Sequence, residues 1–243
     1  MSDYLNLETL DPSGDIRNAA DDAGAFDSTG LDRRAMLRRG AAAGGGLIVA
    51  GGLFQTMLSP AEAAISKSKK SKKNDGAILN YALTLEFLEA AFYTQAVAGI
   101  QFADPNVGYF ATTVKSHEVA HVAALQATLK KLKIKAITAP TVQFGDTVTD
   151  VNKFLATSKV LEDTGVSAYA GQVTNVFQAP VLAAAASIHS VEARHAAWVR
   201  YLLGGGAASS GAANAPAPNI VDPALTEKKV LSAVKATGFV PGL

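Results

Sequence analysis

Two copies of one arrangement of side chains carry the chemistry in this sequence. Glu86 is followed by Tyr93 seven positions on, and then by Glu118-Val119-Ala120-His121. Glu162 is followed by Tyr169 at the same distance, and then by Glu192-Ala193-Arg194-His195. The first Glu of each copy precedes its Glu-x-x-His by 32 and 30 positions respectively. Two lone carboxylates and two Glu-x-x-His pairs, one contributed by each of four helices, form a ligand set for two metal ions. Residues 64–243 hold six Glu and four His, so a given His has a Glu three places before it by chance roughly 3% of the time. Two such pairs, each with its own Glu–Tyr partner, make coincidence a poor account.

The ligands need helices to hold them. Apolar residues recur at helical spacing through 75–99, and Gly99 closes that segment, with Asp75 or Asn74 as its cap. A second helix is predicted from near Asn106 through Leu132, with lysines at its C-terminal end, where the helix dipole favours them. Residues 133–148 contain Pro140, Gly145 and several β-branched residues and read as a connection. A third helix is predicted over 149–173 and a fourth from Pro180 to Leu203. A Gly/Ala/Ser/Pro-rich stretch over 204–218 reads as a flexible loop, and Asp222-Pro223 opens a short terminal helix to about Ala236. Short links join helices one and two and helices three and four, so each pair is an antiparallel hairpin. The longer link lets the second hairpin repeat the first. The fold class is therefore all-α, an antiparallel four-helix bundle with one long crossover.

Burial gives the reason for metal. Glu86 lies among Leu85, Phe87 and Leu88, Glu162 beside Leu161 and Val166, and His195 among Ile188, Val191, Trp198 and Val199. A carboxylate on such a face is costly unless paired or bound to a cation. Four in one core repel strongly, and two divalent ions offset that charge.

Composition removes other classes. There is no Cys among the 243 residues, which excludes disulfides, thiolate zinc sites and Cys nucleophiles. From Asn74 onward 12 basic residues balance 12 acidic ones, so no basic surface for nucleic acid is indicated. Residues 1–30 carry seven acids against Arg17 alone and read as a disordered leader. Arg33-Arg34 and Arg38-Arg39 precede a Gly/Ala-rich apolar stretch over 41–58, then Pro60 and Ala61-Glu62-Ala63. Charged, apolar and small-residue regions in that order describe a cleavable export signal resembling the twin-arginine type. The location expected is periplasmic or extracellular, with no stable membrane anchor after cleavage. An uncleaved anchor is the competing reading. The expected segments are a leader and signal over 1–63, a lysine-rich linker over 64–74, the bundle over 75–203, and a loop with a terminal helix over 204–243.

The phrases LNYALTLEFLEAAFY, HEVAH and SVEARHAAWVRYLLG over residues 75–203 resemble the ferritin-like superfamily, within it the exported ferritin-like, desiccation-related group. That resemblance implies Glu86 and Glu162 as terminal carboxylates, Glu118 and Glu192 as bridging ones, and His121 and His195 as one imidazole per ion. It implies Tyr93 and Tyr169 as donors orienting ligand carboxylates. It implies two iron ions, with manganese as the alternative, reacting with dioxygen or peroxide, in ferrous oxidation or peroxide removal under stress.

Duller readings stand beside these. Glu89, one turn from Glu86, competes as a ligand but has Ala96 where a Tyr would be. His117 reads as surface or as an outer neighbour of the site, and His189 as a core histidine or an outer neighbour on the Glu192 face. The tyrosines could be plain core aromatics. A non-catalytic stress or envelope protein with a structural or vestigial site is the alternative function, and a homodimer is the default assembly.

Overall fold

A computed structural model of the chain describes residues 70–206 and 214–241. The leader and signal proposed for 1–63, and most of the linker, lie outside the described residues. The described residues include helices α1 (Lys72–Gly99), α2 (Pro105–Lys131), α3 (Val151–Gln172), α4 (Ala179–Leu203) and α5 (Glu227–Thr237), with a 3₁₀ turn at Gly145–Val148. No strand occurs among the described residues. The all-α expectation and its two hairpins with one crossover agree with this order.

Local chemistry sets the helix starts. Asp104 accepts from Asn106 N–H at 2.8 Å, with Pro105 at the first helical position of α2. Asp150 accepts from Asn152 and Lys153 N–H at 2.8 and 2.9 Å and starts α3. The start of α1 differs from the expectation. Ser71, not Asp75 or Asn74, is the cap, accepting from Asn74 N–H at 3.1 Å, so the helix takes in Lys72 and Lys73 of the linker. Asp75 serves a different helix. Its buried carboxylate accepts from the backbone N–H of Phe177 (2.8 Å) and Gln178 (3.0 Å), the residues that lead into α4. Helix α4 has no side-chain cap of its own at Gln178. Asp75→Ala would strand buried donors at that helix start, at about 3 kcal/mol. The expected result is a melting temperature lower by on the order of 10 °C, measured by circular dichroism. The terminal helix also starts later than expected, at Glu227 after Thr226, because Asp222-Pro223 lies in irregular chain.

Helix α1 is the central element, buried on most of its faces. Helices α2 and α3 flank it. The crossover is held to it by Asn80, whose side chain donates to Lys135 O at 3.1 Å and accepts from Ile137 N–H at 3.0 Å. Two apolar clusters form the core. One contains Phe92, Tyr93, Phe110 and Phe154, with Phe92 stacked on Phe154 at 5.6 Å, and Val230 and Val234 of α5 join it. The other contains Ile78, Leu83, Leu125, Leu129, Tyr169 and Val181. Along α2 the order is first cluster (107–114), Glu118 and His121, then second cluster (125, 129); α4 runs the reverse, from 181 and 188 through Glu192 and His195 to 199. The candidate ligands thus form a polar layer with apolar packing above and below. Each fully buried Leu or Phe in these clusters contributes about 1.5–3 kcal/mol, and that packing fixes the layer's geometry.

Candidate metal centre

Each helix of the bundle delivers its share of one cluster. Glu86 comes from α1, Glu118 and His121 from α2, Glu162 from α3, and Glu192 and His195 from α4. Glu118, Glu162 and Glu192 are 0% exposed and Glu86 is 1%. Donor atoms of Glu86, Glu118, His121 and Glu192 lie within 4.8 Å of one another, as do those of Glu118, Glu162, Glu192 and His195. Glu118 and Glu192 belong to both groups. All six expected ligands are therefore together.

The contacts are those of ligands facing a shared centre. His121 Nδ1 lies 3.2 Å from Glu86 Oε2, 3.2 Å from Glu118 Oε2 and 3.0 Å from Glu192 Oε1. His195 Nδ1 lies 3.1 Å from Glu118 Oε1 and 3.2 Å from Glu162 Oε2. One imidazole N–H cannot serve three carboxylates. Accordingly, Glu86 Oε2, Glu118 Oε1, Glu162 Oε2, both Glu192 oxygens and His195 Nδ1 are buried without a well-aligned hydrogen bond. Orphaned polar atoms at that density are rare and call for an explanation such as an ion. Ligands about 2.1 Å from an ion lie about 3 Å apart when at right angles, and the imidazole–carboxylate spacings match. The residues would fit two divalent cations, one at each donor group, and Glu118 and Glu192 would serve both.

The tyrosines hold the carboxylates crosswise. Tyr169 of α3 donates to Glu86 Oε1 of α1 at 2.5 Å, and Tyr93 of α1 donates to Glu162 Oε1 of α3. Seven residues is two helical turns, too far for a Tyr to reach the Glu of its own helix. Each serves the other repeat instead. Oriented carboxylates of this kind strongly tune a metal site.

Electrostatics follow from burial. Desolvation, partly offset by the His121 hydrogen bond, pushes Glu86 up to about 8. Burial and the neighbouring carboxylates push Glu192 well above its usual range, and burial raises Glu162. Glu118 goes the other way: burial opposes its ionisation, but hydrogen bonds from His121 and His195 outweigh it and bring it to about 2. Burial also disfavours the charged imidazoles, yet the surrounding carboxylates raise His121 to about 12 and His195 to about 10. Without ions, the cluster holds its charge down with protons.

Other expected residues are placed differently. Glu89 belongs to neither donor group. It is 3% exposed, and burial with four neighbouring carboxylates raises it well above the normal range. Gly165 makes room beside it: a Cβ there would stand 3.1 Å from Glu192 Oε2 and 3.4 Å from Glu89 Oε1. His189 is not joined to a ligand by any hydrogen bond; its Nε2 is buried without a partner. His117, expected at the surface or as an outer neighbour of the site, stacks on His195, with Nδ1 2.8 Å from His195 Nε2. Its place four residues before His121 puts both on one face of α2, while the contact with α4 is a relation between distant segments. Burial and the two other imidazoles lower its proton affinity, so neutral His117 can accept from His195 Nε2–H and fix that ring's tautomer. Arg200 and Asp163 pair at 2.5 Å, tying α4 to α3; nothing in either residue's spacing had marked them. Trp198 packs on Phe110 and Tyr109.

No curated protein shows significant similarity to this sequence. The ferritin-like domain family matches residues 74–205, more than half of the 243-residue chain, and the match runs from the first turn of α1 through α4 and contains all six clustered residues. Bundle, buried donor cluster and family match coincide on the same segment, and the chain belongs to the ferritin-like domain family.

Proposed function

We propose that this protein is an exported di-metal carboxylate protein that holds two iron ions, or manganese in their place, and acts on dioxygen or peroxide. Ferrous oxidation or peroxide removal under stress is the role. The observation that carries the reading is the pair of donor groups sharing Glu118 and Glu192, with their orphaned oxygens facing the two Nδ1 atoms. A set of four carboxylates and two imidazoles suits iron or manganese better than copper or zinc. When bound, such ions supply redox electrons and open coordination positions for the oxidant. The chain supplies the rest. Glu118 and Glu192 set the spacing, Tyr93 and Tyr169 hold the terminal carboxylates, His117 orients His195, and the apolar clusters exclude water. The twin arginines, the apolar stretch and Ala61-Glu62-Ala63 support export. No helix among the described residues is long and apolar enough to cross a membrane.

A second reading, a structural or vestigial site, is favoured by one observation: protonated His121 and His195 beside ionised Glu118 let the core persist without ions. Anaerobic reconstitution with ferrous ion separates the two. About two irons per chain are expected by elemental analysis, followed on exposure to air by oxidation faster than in buffer. Iron below a trace would sink the metal reading, and bound iron that air does not oxidise would leave the structural one.

A further inference from the structure

Beside the metal layer lies a cavity that the site does not use. It has a volume of about 80 Å³ and an almost wholly apolar lining. Its origin is in the sequence. Ala82 of α1, Ala168 of α3 and Ala185 of α4 put short side chains on its walls. Its lining reaches the surface at Val173 (48% exposed) and at Ala186, also exposed. A water fills only roughly 10–15 Å³ on this measure and needs several polar partners, so an apolar space several times larger suits an organic occupant. Voids larger than a water are few in a native core.

Two lining residues also carry an unanswered polar atom. Tyr81 is 6% exposed and its hydroxyl has no partner, and His189 Nε2 is buried without one. Tyr169 is shared with the metal layer: it lines the cavity, and its hydroxyl holds Glu86.

We propose that this cavity is a binding site for a small apolar molecule, of single-ring or short-chain size, bearing one hydroxyl or carbonyl group. Its body replaces the missing side chains, and its polar group meets Tyr81 or His189. Few precisely placed polar groups in an apolar pocket are the usual anatomy of a small-molecule site. The inference deepens the proposed function by naming a class of molecule held next to the metal pair, and as a substrate site it rests on that reading. Binding itself does not require the metal.

Full-length protein, metal-free and iron-loaded, is titrated with 4-methylphenol, 1-hexanol and toluene by calorimetry and ligand-observed NMR. Dissociation constants of about 10–500 μM are expected for the two hydroxyl probes. Ala185→Leu, which fills the space, and Val173→Trp, a surface change at the mouth, should each weaken binding at least tenfold. Tyr81→Phe should weaken 4-methylphenol severalfold and leave toluene unchanged. Val173→Trp keeps the test open even if Ala185→Leu disturbs the core. Absence of binding by all probes, or binding that neither cavity variant weakens, overturns the inference. Iron stoichiometry measured on the same samples reports separately on the metal reading. Two irons with no probe bound would remove the cavity's role alone, and bound probe without iron would remove its role as a substrate site.

Discussion

Glu118→Ala is expected to strip the protein of both metal ions at once, taking about two irons per chain to less than 0.2 by elemental analysis. The reason is that Glu118 serves both sides of the cluster. Its Oε2 faces His121 and its Oε1 faces His195, at 3.2 and 3.1 Å. Glu192→Ala should behave alike, since that residue also belongs to both donor groups. Glu86→Ala should remove one ion preferentially. Glu89→Gln should retain both, because Glu89 stands outside both groups and burial pushes its carboxyl well above its usual range. Retention in Glu118→Ala, or loss in Glu89→Gln with loading intact in Glu86→Ala, would mean the bridging assignment is wrong. The metal-free Glu118→Ala protein should also be less stable, by about 3–5 kcal/mol, because two buried imidazolium groups lose their ionised partner. Denaturant unfolding in the presence of a chelator reads that part separately.

Acid should empty the site. Near pH 7 the metal-free cluster carries protons on Glu86 (about 8), on His121 (about 12) and on His195 (about 10), while burial and the neighbouring carboxylates push Glu192 well above its usual range. Ligation requires these groups without their protons, so loading releases about three or more per pair of ions. Affinity should fall by about 10² or more for each unit of pH lowered, measured by competition with a chelator of known affinity. Proton release into weak buffer gives the stoichiometry directly. Stability of the metal-free protein should run in the opposite direction. Glu118, depressed to about 2 from 4.5, contributes stability that is present above pH 4.5 and lost toward pH 2. His121 and His195, raised from 6.5, contribute stability that is full below pH 6.5 and lost toward pH 10 and 12. Glu86, raised from 4.5 to about 8, makes the fold progressively less favourable across that interval. The metal-free optimum is therefore about pH 4.5–5, with a melting temperature at least about 10 °C lower at pH 8. A metal-free protein that gains stability from pH 5 to 8 would contradict this account of the cluster.

Much of this was legible because it rests on local periodicity. The spacing of Glu118 to His121 and of Glu192 to His195 fixes both residues on one helix face whatever the fold. The apolar flanks of Glu86 and Glu162 say which face is inward. Relations between distant segments were not legible. Asp75 read as a cap for its own helix, since nothing local shows that the turn before α4 would come to rest against it. The same limit applies to His117 on His195 and to the Arg200–Asp163 pair. His189 looked well phased with Glu192, but phase fixes a direction only, and no ligand lies within its hydrogen-bonding reach.

The crossed tyrosines bear on the order of folding. Each hairpin is a local structure that can form early, from contacts close in sequence. Neither one carries a complete site, because Glu86 is held from α3 and Glu162 from α1. Half-folded chains therefore present unsupported carboxylates and at most a weak hold on an ion. Tight metal capture becomes a timestamp for the docking of the two hairpins, the step that closes the longest loop in the bundle.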